Sequence, residues 1–493
     1  MHTLMNILAN MGWHPSVWAV VLLLAELLAL FTVPSVLIQR RGRPQSALAW
    51  LLGLIALPFV GVLLWWGIGR THLMRKRHRR RSARAQISPS LRVVGTRSQP
   101  SSSADVLPSL HLPADEALAV FPPVDGNSVK VLVDGAETYP ALERIVRGGR
   151  HHVHFLFYAW RADEVGRRFR DLLAGCARDG VQVRVLCDAV GSFRLSNRFL
   201  EPLRAAGGKV AFFMPTRILR RSLTLNFRNH RKIVVVDGSV GYTGGLNIGA
   251  EYTRGWRDLG LLLAGPVVGQ LQEIFADDWF FATGENLAAG EFFPEVSAQR
   301  DDLLGPEGVH QGAVCRLIAG GPDAQHNATH DTFLIAVNQA RRRVLITTPY
   351  LTPGPAIQAA LRTAVYRGLD VRLLVPRDPD VRFTRLAGRS YYPDLLAGGV
   401  RIFEYAPGTL HQKMWVFDDE LSAVGSANLD TRSFRLSFEA CCFIQSRSVN
   451  SALADLFRHD QTLSEEVTPA SVEASGRWQQ LKEAVANLLS PML

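Results

Sequence analysis

The hydrophobic pattern divides the chain into unlike regions. Residues 17–38 and 47–68 are two apolar runs of 22 residues each, the first with one charge, Glu26, and the second with none. As helices rising ~1.5 Å per residue, each reaches roughly 33 Å, enough to cross a hydrocarbon core of about 30 Å. The short link from Gln39 to Gln45 makes them a two-helix transmembrane hairpin over residues 1–70. From Ser82 to about Pro113 the apolar period disappears and Ser and Pro accumulate, which predicts a linker inside a basic juxtamembrane segment spanning 71–115.

Beyond residue 115 a different pattern appears twice. Residues 153–158 read as a buried strand, Val165–Ala177 as a helix and Gly180–Cys187 as a second strand; Val344–Tyr350, Ala356–Tyr366 and Gly368–Val375 repeat the series. Strand, helix, strand at these lengths predicts parallel sheet and an α/β fold in each of two homologous halves, 116–300 and 301–493. Two such halves can pack about a pseudo-twofold axis.

The repetition extends to chemistry. His230, Lys232 and Asp237 spell His-x-Lys-x-x-x-x-Asp, and His411, Lys413 and Asp418 spell it again 181 residues later. Counting from each histidine, Gly244 and Gly425 fall at +14, Asn247 and Asn428 at +17, and Asp258 and Glu439 at +28. A shared register of this length is the mark of an internal duplication. The residues around each motif, Ile233–Val236 and Met414–Phe417, read as strand, so each His and Lys two apart are expected on one face. Asp237 and Asp418 fall at an odd offset and begin polar turns, which fits support of the turn better than contact with substrate.

A pair of histidines beside fixed cations suits phosphodiester chemistry. One histidine attacks phosphorus while the other protonates the leaving oxygen and then serves as base for the incoming alcohol. Lys232 and Lys413 supply charge, Asn247 and Asn428 amide donors to phosphoryl oxygens, and Asp258 and Glu439 hold one imidazole each through its second nitrogen. With two lysines in place, the chemistry calls for no metal or other cofactor. His152 and His154 share a strand face without a convergent carboxylate or cysteine, and are expected to be a structural cluster.

Charge narrows the substrate class. The chain carries +11 overall, yet its first 84 residues hold eleven Lys or Arg and one acid, leaving 44 basic and 43 acidic residues in the remainder. A nearly neutral body lacks the cations that track a nucleic-acid backbone. Eight Lys or Arg between Arg70 and Arg84 outnumber the three Arg of the hairpin link, which predicts that the body lies on the cytoplasmic side, with the cluster from Arg75 to Arg81 near acidic headgroups. Five cysteines without Cys-x-x-Cys spacing read as reduced core residues.

The paired His-x-Lys-x-x-x-x-Asp pattern resembles the HKD motif of the phospholipase D superfamily. The apolar hairpin, Asn229 to Asp237, Tyr242 to Asn247, Trp256 to Asp258, Thr348 to Tyr350 and Gly425 to Ser433 resemble in particular the bacterial cardiolipin synthases of the inner membrane. The resemblance implies phosphatidyl transfer between two phosphatidylglycerol molecules, with anionic membrane lipid rather than nucleic acid as partner. It also implies His230 as nucleophile and His411 as acid and base. One departure is Gly245 where the second copy has Ser426, so a hydroxyl contact to phosphate is expected in one half only. A hydrolase releasing phosphatidic acid, another phosphatidyltransferase, and a membrane-tethered nucleic-acid phosphodiesterase remain the alternatives.

Overall fold

Runs such as Ile233–Val236 and Val240–Gly244 are joined by a turn so tight that Asp237 takes a left-handed φ of 52°, which forces the two strands antiparallel. The corresponding turn at Asp418, φ 49°, does the same for Met414–Phe417 and Leu421–Gly425. The computed structural model describes residues 15–42, 44–69, 73–95, 121–214, 227–294, 300–324 and 327–488, which fall into two compact units dividing at Arg79 and Arg80.

In the first unit, Pro15–Gln39 is one continuous helix, and its segment Ala19–Gln39 is, among the described residues, the one helix long and apolar enough to cross a membrane. The second predicted span is broken. It forms two short helices, Pro44–Ala56 and Pro58–Leu64, because Pro58 has no N–H to continue the ladder and Leu57 before it leaves the helical region at φ −139°, ψ 70°. The two apolar segments nevertheless pack together. Trp65 and Trp66 donate their indole N–H groups to the Ser35 and Thr32 hydroxyls, at 3.2 and 3.1 Å. Leu24, Phe31, Ile38 and Ile55 face outward.

Ser82 to Gly95 is not linker. It belongs to a helix, Leu73–Gly95, whose Ile87, Leu91 and Val94 are buried in the second unit's core. Serine and proline content misled here because apolar side chains at helical spacing outweigh weak propensity once they are buried. Residues 96–115, the rest of the expected linker, lie outside the described residues, as do residues 116–120 and the side chains of 75–78 in the basic cluster. Within that cluster Arg80 is turned into the body rather than toward headgroups.

Both homologous halves belong to the second unit and share one sheet of 16 strands among the described residues, 15 along one path and the short strand Arg228–Asn229 beside it. Its order is a palindrome. From the antiparallel central pair Val124–Val133 and Val309–Gly320, the first half adds Leu259–Ala264, Val240–Gly244, Ile233–Val236, His152–Phe157, Gln182–Asp188 and Lys209–Phe213. The second half adds Ser437–Gln445, Leu421–Gly425, Met414–Phe417, Arg343–Thr347, Asp370–Pro376 and Arg401–Tyr405, and ends on an additional edge strand, Ser464–Val467. The sheet is therefore mixed rather than parallel. Along this order only the three strands joined through crossover helices in each half run parallel, and the short strand Arg228–Asn229 beside it pairs parallel with Ser437–Phe438. One shared core, with Leu261, Phe275 and Trp279 from the first half and Val416, Cys442 and Phe457 from the second, spans the boundary, and each half keeps its own core besides. All five cysteines are buried and unpaired.

Candidate active site

Neither His230 nor His411 lies within a regular strand, as the sequence pattern suggested. Each sits on a short extended segment that leads into one, and each segment pairs with the opposite half. Arg228–Asn229 runs parallel to Ser437–Phe438, and Thr409–Leu410 runs parallel to Trp256–Arg257. The pairing continues onto the histidines, whose backbone N–H groups donate to Phe438 O at 2.9 Å and to Arg257 O at 2.7 Å.

This exchange places each acid on the histidine of the other half. Glu439 Oε2 lies 3.1 Å from His230 Nδ1, and Asp258 Oδ2 lies 2.6 Å from His411 Nδ1. The environments of the two rings differ. His230 Nδ1 also faces the Ser426 carbonyl at 3.2 Å, so it meets two acceptors, must carry the proton, and leaves its Nε2 lone pair free. His411 Nδ1 meets an acceptor in Asp258 and a donor in Lys413 Nζ at 2.9 Å. Burial pushes the His230 imidazole down to about 4, with Glu439 opposing, so the ring is neutral at pH 7. Burial also lowers His411, and Lys413 adds to this against the pull of Asp258.

The lysines are buried with them. Lys232 donates to His230 O at 2.6 Å, and Lys413 donates to His411 O. Burial lowers Lys232 to about 7 and Lys413 to about 8, against the stabilising charge of Glu439 and Asp258 respectively. Aromatic rings wall both histidines: Tyr158 lies 4.9 Å from His230, and Trp256, Tyr252 and Tyr350 lie 5.0, 6.2 and 6.5 Å from His411.

The remaining sequence-picked residues divide. Asp237 and Asp418 point away from the histidines and cap neighbouring backbone, Asp237 accepting from the N–H groups of Arg150, His151 and His152 and Asp418 from those of Arg341, Arg342 and Arg343. Asn247 uses its Oδ1 on Ala159 N and its Nδ2 on the Tyr252 hydroxyl, while Asn428 Nδ2 donates to Asp430. Each amide thus has one N–H committed within the protein. Ser426 differs from the expectation of a phosphate contact: its hydroxyl donates to Glu439 and accepts from Ala440 N–H. Gly245 occupies the matching place because a Cβ there would meet Asp258 Oδ1 at 2.1 Å. The two halves therefore support their acids differently, one with a serine hydroxyl and the other with space for the carboxylate itself. His152 and His154 are buried neutral rings, 4.7 Å apart, with His154 stacked on Phe275.

Several supporting residues were not legible as such. Asp278 Oδ2 accepts from Asn229 Nδ2 and Arg231 Nη1, both at 2.8 Å, on either side of His230, and its Oδ1 accepts from Arg80 at 2.7 Å. Arg80 is 1% exposed and also pairs with Asp277 at 2.6 Å. Asp460 plays the same part in the second half, gripping Gln412 and Arg257. Asp188 receives the Asn229 N–H at 2.8 Å. Asp278 and Asp460 fall at +48 and +49 from their histidines, one residue out of the shared register, and the place matching Asp188 by offset is Leu369, so equal offsets do not mark them.

Residues 143–279 and 333–461 match the family described as cardiolipin synthase, PLD-like domain. The chain belongs to the cardiolipin synthases of the phospholipase D superfamily. It is 35% identical to a cardiolipin synthase of Geobacillus kaustophilus over 99% of this chain and 96% of that one, and 36% identical to cardiolipin synthase A of Pseudomonas fluorescens over 91% and 93%. Among solved structures, a phosphatidylserine synthase from Haemophilus influenzae superposes with a TM-score of 0.57, covering 82% of this chain and 100% of that one at 16% identity, which shows the shared fold. This chain thus joins the paired motif, the duplicated halves and an apolar helix at residues 19–39, and as a member of this family it is a phosphatidyltransferase.

Proposed function

We propose that the protein transfers a phosphatidyl group from one phosphatidylglycerol to the hydroxyl of a second, forming cardiolipin and releasing glycerol. The observation that carries this reading is the unequal pair of cross-held histidines. His230 Nε2, with its lone pair free, attacks phosphorus. As the phosphorus–oxygen bond to glycerol breaks, His411 gives its proton to the leaving alkoxide. The incoming phosphatidylglycerol hydroxyl then passes its proton to His411 and attacks the phosphohistidine, and the phosphorus–nitrogen bond returns its electron pair to His230. Asp258, on the opposite nitrogen of His411, stabilises the imidazolium form that the first step needs. Lys232 and Lys413 neutralise the phosphoryl oxygens, and an arriving phosphate raises both lysines and His411 in turn, because an anion favours their protonated forms.

The exchange replaces one phosphodiester by another, so no nucleotide is required. In this reading Asn247 and Asn428 turn their second amide N–H groups to the phosphoryl oxygens. The apolar helix at residues 19–39 spans the membrane with its partner segment, and the basic residues between 70 and 84 keep the body on the cytoplasmic side. The near-neutral body favours lipid over nucleic acid.

The test supplies labelled phosphatidylglycerol to purified full-length protein in mixed micelles. Cardiolipin and free glycerol are the expected products; phosphatidic acid alone would make the protein a hydrolase, and no turnover would overturn the reading. A phosphoenzyme trapped in the wild type and lost in His230→Ala assigns the nucleophile, whereas its retention would reverse the two histidine roles.

A further inference from the structure

The last helix, Arg477–Leu488, wears its amphipathicity the wrong way round. Trp478, Leu481, Val485 and Leu488 follow one another at steps of three, four and three, which places them on one stripe about 80° wide at 3.6 residues per turn. A surface helix ordinarily buries such a stripe. Here the four are 78%, 52%, 51% and 78% exposed, and the buried positions are Glu483 and Ala486 on the other side. Glu483 Oε1 accepts from Arg389 Nε at 3.2 Å and from Gln479 Nε2 at 2.9 Å, and these bonds fix which face is turned inward.

Charge completes the outward face. Arg477 and Lys482 are exposed and flank the stripe on its two sides, while the one acid of the helix is the buried, paired Glu483. Apolar side chains ending in a tryptophan, edged by cations and free of anions, suit the boundary of an anionic bilayer. A second copy of the chain fits less well, since a self-complementary contact along this face brings Arg477 and Lys482 against their own kind.

One intervening helix links it to the chemistry. It packs against Arg382–Arg389, which begins two residues after Asp380. Asp380 accepts the Tyr350 hydroxyl at 2.8 Å, and the Tyr350 ring stands 6.5 Å from His411. We infer that Arg477–Leu488 is an interfacial anchor that lays Trp478, Leu481, Val485 and Leu488 on an anionic bilayer beside the His411 side of the active site. This deepens the proposed reaction, and rests on its substrate being bilayer lipid.

The full-length chain tests it in two ways. In Val485→Cys, a polarity-sensitive thiol label reports position 485, because the five natural cysteines are buried. In vesicles containing phosphatidylglycerol the label shifts to the blue and is quenched by lipids brominated on their acyl chains. Solvent-like emission, or protection that depends on protein concentration as a second copy would give, overturns the inference. In Trp478→Gln combined with Leu481→Gln, the rate on vesicle phosphatidylglycerol falls about 10-fold or more while the rate on dispersed short-chain phosphatidylglycerol holds. An equal fall in both rates would make the stripe a support of the fold and overturn it. Failure of the wild type to form cardiolipin from either substrate would sink the proposed reaction alone, because the label still reports whether the helix meets lipid.

Discussion

Asp258 and His411 lie 153 positions apart in sequence and belong to different homologous halves, yet Asp258 Oδ2 stands 2.6 Å from His411 Nδ1 in a buried contact. Glu439 and His230 make the reciprocal contact. Each half thus supplies a motif histidine and the acid that holds the other half's, and neither half alone contains a supported histidine.

That exchange predicts coupling across the boundary. Asp258→Asn is expected to lower kcat about 10- to 100-fold through the orientation of His411, with KM little changed. In a double-mutant cycle, Asp258→Asn adds almost nothing once His411→Gln has removed the imidazole that the acid holds. Steady-state kinetics on the four proteins checks this, and additive losses would separate Asp258 from His411.

Gly245 offers a test that removes no polar group. A Cβ there meets Asp258 Oδ1 at 2.1 Å, so Gly245→Ala must displace the carboxylate. The expected result is a kcat loss comparable with that of Asp258→Asn. Ser426→Ala acts instead on Glu439, which loses a hydroxyl donor while buried, at a cost of about 1–3 kcal/mol. Thermal melts beside the kinetics distinguish the two.

Asp278 ties the side chains of Asn229 and Arg231, the two neighbours of His230, to Arg80. Asp278→Ala leaves two buried guanidinium groups short of a partner and is expected to destabilise the protein by about 3–5 kcal/mol. Arg80→Met, which removes a charge from an otherwise acidic pocket, lowers the melting temperature and reduces kcat through Asp278. A normal kcat in Arg80→Met would confine that residue to stability.

The buried lysines set a pH dependence. Lys232 holds its proton less tightly in the folded protein, at about 7, than in the unfolded chain, near 10.5. Between those values the unfolded chain binds more protons, so the lysine's contribution favours folding increasingly as pH rises and is lost as pH falls toward 7. The difference in melting temperature between wild type and Lys232→Met should move in favour of wild type from pH 7 to pH 9. A constant difference would show that Lys232 titrates normally.

The same depression makes ligand binding take up protons. A short-chain phosphonate analogue of phosphatidylglycerol brings an anion to Lys232, Lys413 and His411, all lowered chiefly by burial. Calorimetry at pH 7.5 in two buffers of different ionisation enthalpy should register net proton uptake. Equal heats in the two buffers would refute it.

Much of this protein is written in local pattern. The apolar run at residues 19–39, the alternation of strand and helix in each half, and the turns at Asp237 and Asp418 depend on neighbours a few positions away, and a linear reading finds them. The duplicated register likewise picked out His230, Lys232, His411, Lys413, Asp258 and Glu439 as one set. Non-local packing decided the rest. Only the strand exchange between halves shows that Asp258 serves His411 and Glu439 serves His230, because equal offsets cannot tell a partner within a half from one across it. The helix over Ser82–Gly95 forms against a core whose other residues are distant in sequence, and Arg80 leaves the basic cluster because three acids from elsewhere meet it. Burial, which no single segment sets for itself, then fixes the proton affinities that make one histidine neutral beside two weakened lysines.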